Sequence, residues 1–408
     1  MDWLIWVYLL VFFFGFFFMF IFLILHYRYK SFLHYVPPLS KEKPLISFLV
    51  PAYNEEKTIK KTVTSLIALD YPMNKKEIII INDGSKDGTL KIARALEKKY
   101  SCIKVLDKPN SGKADSLNEA IKMIHGKFMA VVDADSYPKS DALINMLGHF
   151  GDTTVGAVTS RVLVKNKKNW LEKFQIMDYS IIAWTRKLLD FVDSVYVTNG
   201  PFSLYRTSVV RKIGGFDTKN LTEDIEITWH ILSAGYTTRM SYDAIVYTSV
   251  PSRLKEWIKQ RVRWNLGGLQ TIIKYRKDFF KKGVFGYFIL PYVSSAFFFA
   301  IIGFFLFLRY LWLKGSYQLV SLFYLFRGYN YFKYFEFDFF LSLLLLFGVI
   351  FFFISLWYYK IGFKHSETGN QNILKILCYS FIYRPLYVIP LLLAIYKMIR
   401  GDIRWYTK

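Results

Sequence analysis

Two carboxylates one residue apart, Asp133 and Asp135, close the stretch Phe128-Met129-Ala130-Val131-Val132-Asp133-Ala134-Asp135. The five apolar residues at its start read as a strand buried on both faces. Carboxylates at the carboxyl end of such a strand stand where open α/β sheets bind their ligands. Oxygen ligands of this kind suit a hard divalent cation, and such a cation commonly bridges nucleotide phosphates. Surface turns are also rich in Asp, so the pair alone says little. Its place after a buried strand gives it weight, and the rest of the chain must supply partners.

Several polar groups follow other apolar runs. Asp83 ends Ile78-Ile79-Ile80-Ile81-Asn82-Asp83, and Tyr53 and Glu55 follow a strand expected over Ile46 to Val50. Lys113 follows Asn110-Ser111-Gly112, and Asn199-Gly200-Pro201 makes a turn before Phe202-Ser203-Leu204-Tyr205. No Gly-x-Gly-x-x-Gly follows the first strand and no Gly-Lys-Ser/Thr closes a glycine loop, so a bound nucleotide needs carboxylates, a metal and Lys113 to hold it. Thr222-Glu223-Asp224 opens a helix running to about Ala234, with Glu226 in the same acidic cluster. A helix N-terminus favours both a Thr cap and acidic residues, which is the structural alternative to an active-site acid pair. Gln260-Arg261-Val262-Arg263-Trp264 lies in a basic amphipathic stretch from Arg253 to Phe280. Such a helix can rest on anionic headgroups; equally, Arg can grip pyrophosphate oxygens and Trp can stack on a sugar face.

The elements that must position these groups alternate. Helices are expected from Glu56 to Leu69, after the glycine turn Asp83–Thr89, and from Ala114 to Ile124, with a short strand near Ile103 to Leu106. Strand, helix, strand, helix in this rhythm predicts a mainly parallel sheet covered on both faces. Val155 to Val164 reads as a further strand. Trp170 to Phe191 reads as an amphipathic helix with Trp170, Phe174, Met177, Ile181, Trp184 and Leu188 on one side, fit for a domain core or a membrane surface.

Of the 408 residues 53% are hydrophobic, too many for an ordinary soluble chain, and they concentrate at the two ends. Trp3 to Leu25 is uncharged and long enough to cross a bilayer; Asp2 ahead of it and bulky residues after it argue against a cleaved signal peptide. His26-Tyr27-Arg28-Tyr29-Lys30 puts that flank in the cytoplasm and the N-terminus outside. Val284 to Leu308 and Phe339 to Tyr359 are further spans, Gln318 to Phe326 is short enough to be re-entrant, and Ile376 to Tyr396 is a weaker span broken by Arg384-Pro385 and Pro390. Four spans leave the C-terminus outside, whereas the basic tail Lys397, Arg400, Arg404 and Lys408 prefers the inside. The organisation is therefore an N-terminal helix (1–30), a soluble domain (44–250), an amphipathic segment (251–282) and a membrane region of about three spans (283–408). The net charge of +23 clusters beside apolar segments, which favours anionic lipid over nucleic acid. Cys102 and Cys378 support neither a disulfide framework nor a metal cluster.

Taken in order, Tyr53-Asn54-Glu55-Glu56, Asn82-Asp83-Gly84-Ser85, Gly112-Lys113-Ala114, Asp133-Ala134-Asp135, Thr222-Glu223-Asp224 and Gln260-x-x-Arg263-Trp264 resemble the membrane-integrated, processive, inverting glycosyltransferases of family two. These include cellulose, chitin, hyaluronan and poly-N-acetylglucosamine synthases. The resemblance covers roughly residues 45 to 270 and implies a Rossmann-like GT-A α/β domain in the cytoplasm of a multi-pass plasma-membrane protein. It implies that Asp83, Tyr53 and Glu55 contact uridine, that Lys113 and Asp133 hold the UDP-sugar, and that Asp135 with Asp133 ligates Mg²⁺ or Mn²⁺. Asp224 becomes the general base with Glu223 beside it; Gln260, Arg263 and Trp264 border the acceptor and the diphosphate, and Asn199 belongs to the acceptor-side turn. The implied partners are a UDP-sugar, UDP-N-acetylglucosamine first, an oligosaccharide or polysaccharide acceptor and the bilayer, with no nucleic acid. One rival keeps the fold and transfers a single sugar to a lipid or polyprenyl phosphate; another is a transporter or scaffold with an inactive nucleotide domain. The chain is short beside bacterial cellulose synthase, with no regulatory nucleotide-binding domain in it.

Overall fold

The computed structural model describes residues 3–39, 42–310, 312, 339–365, 369 and 371–402. The expected segment from Gln318 to Phe326 lies outside them. Chain order begins with helix α1 (Trp3–Tyr29), then β1 (Ile46–Ala52), α2 (Ile59–Ile67), β2 (Lys76–Asp83), α3 (Thr89–Lys99), β3 (Ile103–Lys108), α4 (Lys113–Met123) and β4 (Phe128–Val131). It continues with β5 (Ser136–Pro138), α5 (Ala142–Leu147), β6 (Val155–Val164), α6 (Trp170–Asp190), β7 (Ser203–Arg206), α7 (Thr207–Lys212), α8 (Glu223–Ser233), β8 (Thr237–Thr248) and α9 (Leu254–Tyr275). Last come α10 (Leu290–Tyr310), α11 (Phe339–Lys364), α12 (Ile373–Cys378) and α13 (Val388–Ile399).

The eight strands form one sheet in the order β3-β2-β1-β4-β7-β6-β8-β5. The half from β3 to β4 is parallel, as the alternating pattern requires. The other half is mixed, so the sheet is less parallel than expected: β7 runs antiparallel to β4 and β6, and β5 antiparallel to β8. The cause is local. β4 ends at the acidic turn, and the next sheet partner of β4 is β7, which arrives from the opposite direction after the Asn199-Gly200-Pro201 turn. All eight residues of β2 are buried, which is why its isoleucines show no alternation. One core layer joins Phe48, Val50, Ile78, Ile80 and Phe128 to α2 and α5; the other joins Leu49, Ile79, Ile81 and Met129 to α4 and α8.

Helix α2 starts three residues later than expected, at Ile59, and has no acid in its first turn. Glu56 instead stays in the loop, where its carboxylate accepts from the Gly88 backbone at 2.9 Å. Helix α6 packs as core. Leu171, Met177, Ile181, Trp184 and Leu188 are buried in a cluster shared with Phe22 of α1 and Phe363 of α11, while Trp170 is left 52% exposed.

Four helical stretches are long and apolar enough to cross a membrane: Trp6–Phe32, Phe285–Leu306, Leu346–Lys364 and Ile373–Ile399. The chain is that of a membrane protein. α1 lies against both α10 and α11, with Phe14 stacked on Phe299 at 4.5 Å and Phe16 edge-on to Phe351 at 5.3 Å.

Candidate active site

The cleft lies at the carboxyl ends of β1, β2 and β4. Two loops are laced together along one wall. Asn54, in the left-handed region at φ +55°, accepts from Lys86 N at 2.9 Å and donates its own N–H to Ser85 at 3.0 Å. Glu55 N donates to Thr89 Oγ1 at 2.8 Å, and the Glu55 carboxylate accepts from Thr58 at 2.7 Å.

Asp83, the last residue of β2, is 5% exposed. Its carboxylate gathers Ser111 N at 2.9 Å, Gly112 N at 3.0 Å and Lys108 Nζ at 3.3 Å. Gly84 next to it sits at φ +69°, where a Cβ would fall 2.7 Å from Asn110 N; only glycine allows the loop before α4 to close on β2. That closure fixes the start of α4, and Lys113 is its first residue.

Lys113 is the hinge of the site. Its ammonium lies 2.5 Å from Asp133 Oδ1 and 2.6 Å from Glu223 Oε1, joining the end of β4 to the start of α8. Burial works against the charged amine, but Asp133 and then Glu223 outweigh it and hold its pKa above the ordinary lysine value. Burial likewise opposes the Glu223 charge, yet Lys113 keeps that carboxyl below its ordinary range. Asp224 goes the other way. Burial and then the Glu223 charge push it up to about 6, with Lys113 and Arg263 pulling in the opposite sense. The two neighbouring carboxyls are thus driven apart: Lys113 favours the ionised form of Glu223, while burial and Glu223 make Asp224 the easier of the two to protonate. The Thr222 hydroxyl does not cap α8 as expected, because it bonds Asn220 at 3.2 Å. The acids themselves serve the helix start, where Asp224 Oδ1 accepts from Ile225 N at 2.9 Å.

Arg263 on α9 faces the same pair. It contributes to the fields on both Glu223 and Asp224, and its Nη1 lies 3.5 Å from the Leu221 carbonyl. Trp264 is partly buried, with the Arg261 guanidinium 3.9 Å above its ring. Gln260 accepts from Arg261 Nη1 at 3.0 Å. Asn199 differs from its expected acceptor-facing place. It is 8% exposed, and its amide donates to the Ser160 carbonyl at 2.8 Å, so it secures the turn to β6. The member of that turn at the cleft is Gly200, where a Cβ would lie 2.8 Å from Asp133 Oδ2 and 3.2 Å from Lys113 Nζ.

The structure thus gathers Asp133, Lys113, Glu223, Asp224 and Arg263 in one place, with Tyr53, Glu55 and Asp83 in the adjoining loops. Sequence reasoning missed Lys108, whose signal was its place at the end of β3; it named Gly200 only as part of a turn, and the close packing shows why glycine stands there. Asp135 stands beside Asp133, with its Oδ1 3.3 Å from Ser136 Oγ. Among the described residues no group of three or more His, Cys, Asp or Glu side chains can hold a metal unaided. Two carboxylates do fit a hard cation whose remaining oxygens come from a donor's phosphates.

Residues 44–267 match the model of glycosyltransferase like family 2, and the chain belongs to that family. The poly-β-1,6-N-acetyl-D-glucosamine synthase of Staphylococcus aureus strain COL is 36% identical over 237 residues, which are 58% of this chain and 56% of that protein. The enzyme of the same name from Staphylococcus epidermidis is 35% identical over 231 residues. The chain therefore spans a little over half the length of the curated relatives it matches. Among solved structures, a mannosyltransferase from Pyrobaculum calidifontis, in complex with GDP-mannose and Mn²⁺, superposes with a TM-score of 0.52 at 20% identity, covering 83% of this chain and 95% of its own. That likeness establishes the GT-A fold.

Proposed function

We propose that the protein transfers N-acetylglucosamine from UDP-N-acetylglucosamine to the end of a growing β-linked polysaccharide, and passes the polymer through the membrane. The observation that carries the reading is the Lys113 bridge between Asp133 and Glu223. It sets the carboxylates suited to a nucleotide-sugar within one side chain of the acid pair suited to an acceptor. The sugar identity rests on the relatives' names; the polymer rests on them and on Gln260-x-x-Arg263-Trp264.

In this reading Asp83, Tyr53 and Glu55 line the uridine end, while Lys113 and Asp133 hold the donor. Asp133 and Asp135 would hold Mg²⁺ or Mn²⁺, which when bound neutralises charge on the diphosphate. Asp224 accepts the proton of the acceptor hydroxyl as its oxygen bonds to the anomeric carbon. The bond from that carbon to UDP breaks, and its electron pair leaves with the diphosphate, where Arg263 meets the growing negative charge. Glu223, held ionised by Lys113, keeps Asp224 basic enough for the task. With one base and no nucleophilic carboxylate the displacement is single, so an α-linked donor gives a β-linked product. The basic flank of α1 supports a cytoplasmic domain, the side on which nucleotide-sugars are found.

The test uses full-length protein in lipid nanodiscs with Mg²⁺ or Mn²⁺, offered UDP-N-acetylglucosamine, UDP-glucose and UDP-glucuronate in turn. UDP release with a mass ladder of N-acetylhexosamine units supports the proposal. A single sugar on a lipid would assign the chain to lipid glycosylation instead, and turnover confined to another donor overturns the sugar.

A further inference from the structure

Asp178, in the middle of α6, is 1% exposed and has no part in the chemistry above. Two tyrosine hydroxyls donate to its carboxylate, Tyr379 at 3.1 Å and Tyr387. Two guanidinium groups flank it, Arg261 Nη2 at 3.5 Å and Arg384 Nη1 at 3.7 Å. A carboxylate so deeply buried is retained only when it is paired, and here every partner comes from α9 or from the segment joining α12 to α13.

Arg261 continues the chain of contacts toward the cleft. It is itself 1% exposed. Its Nε donates to the Tyr387 hydroxyl oxygen at 3.0 Å, its Nη1 donates to Gln260 Oε1 at 3.0 Å, and its plane lies 3.9 Å over the Trp264 ring. A guanidinium is flat and its donors are fixed in that plane, so two hydrogen bonds on different edges define the plane fully. The stacked indole must then follow the orientation of Arg261.

We propose that Asp178 is a positioning residue for the acceptor. Through Tyr387 and Arg261 it sets the plane of Trp264 and the amide of Gln260, and through Tyr379 and Arg384 it ties that setting to the C-terminal helical segment. The inference rests on the acceptor role given above to Trp264. The sugar end that must meet Asp224 is then presented by a surface whose angle is fixed from outside the cleft. Neither donor binding nor the acid pair depends on it.

The experiment compares Asp178→Asn, Tyr387→Phe and Trp264→Ala with the parent protein in nanodiscs. UDP release is measured with UDP-N-acetylglucosamine alone, then KM and kcat for an N-acetylglucosamine oligosaccharide acceptor, then product length. Asp178→Asn and Tyr387→Phe are expected to raise the acceptor KM and shorten the product, with a loss of roughly tenfold to a hundredfold in acceptor kcat/KM, the scale of a ~1 Å misplacement. Donor KM and donor-only UDP release stay near parental values. Proportional loss of donor-only release and elongation would mean general damage and overturns the inference. So does an unchanged acceptor KM and product length in well-folded variants. If Asp178→Asn is not recovered folded, Tyr387→Phe decides, since it removes one hydroxyl from the relay. Trp264→Ala separates the two ideas. Its silence sinks the acceptor reading itself, whereas a clear Trp264→Ala effect beside silent Asp178→Asn and Tyr387→Phe sinks only the positioning role.

Discussion

Asp224 and Glu223 are neighbours with opposite assignments, and the difference is set by which of them Lys113 touches. A base must be deprotonated to act, so with Asp224 raised to about 6 by burial and by Glu223, kcat/KM should rise through an acid limb near pH 6 and level off above it. Asp224→Asn removes the acceptor of the proton and should lower kcat by ~10²–10⁴-fold while donor KM holds; full turnover in that variant would remove Asp224 from the mechanism. Lys113→Met tests the control. Lys113 lowers the Asp224 pKa, so its loss moves the acid limb to higher pH, whatever it does to the height of the profile. A limb that stays in place would show that the bridge does not govern the base. Asp133, Asp135, Lys113 and Asp224 could be singled out by type and order because the roles proposed for them depend on charge, which sequence displays. Gly200 could not be, because its role is the absence of a side chain 2.8 Å from Asp133.

Helices α8 and α9 bring the acid pair and the Gln260–Trp264 stretch face to face, and their contact is specific. Glu226, 0% exposed, accepts from Lys274 at 2.5 Å and from the Tyr275 hydroxyl at 2.8 Å. Gly267 lies where a Cβ would be 2.1 Å from Thr222 Oγ1. Gly267→Ala should therefore push α9 off the start of α8, lowering stability by ~1–3 kcal/mol as overpacking does and reducing activity more than a change of that size elsewhere. A melting temperature and turnover equal to the parent would refute the packing argument. Gly200→Ala gives the complementary case. It should leave the melting temperature close to the parent, because the atoms its Cβ would meet are the far ends of the Asp133 and Lys113 side chains, which can shift, yet depress donor kcat/KM by displacing them. Existence and order of the elements were legible because apolar runs and helical periods are local signals. The mixed half of the sheet was not, because strand direction depends on pairings such as Met129 with Tyr205, far apart in sequence. The start of α2 was misread for a related reason: Glu56 is held by Gly88, a partner 32 residues away.

Among the described residues hydropathy alone offers four crossings, and that count sends the C-terminus to the side opposite its basic residues. The packing gives another account. Three of the helices have one end on the soluble domain and run away from it together. Tyr29 at the end of α1 stacks on Phe191 at 4.6 Å, and Phe285 and Ile289 ahead of α10 pack on Trp229 and Tyr275. After α11, the His365 carbonyl accepts from Arg161 at 3.1 Å and from Tyr242 at 2.9 Å. The fourth stretch touches the domain's own helices at both ends. Ile376, Tyr379 and Tyr383 pack with Leu171, Met177 and Trp257, while Ala394 packs with Leu221, Val262 and Leu266. A helix that crossed a ~30 Å hydrocarbon core could not keep both ends against one face of a domain. Arg384 was the cue in the sequence, for an arginine in an apolar segment marks a protein or water contact, and here it meets Asp178. Among the described residues the packing therefore predicts crossings by α1, α10 and α11, with the segment from Ile373 to Ile399 lying along α6 and α9 on the same side as the soluble domain. Both ends of that segment then agree with the positive-inside bias, since Lys375 lies near its start and Lys397 and Arg400 at its end. Alkaline phosphatase fused after Lys408 should be inactive in cells, and green fluorescent protein at the same point should fluoresce. Active phosphatase there would restore the fourth crossing and detach the C-terminal segment from the acceptor surface it is packed against.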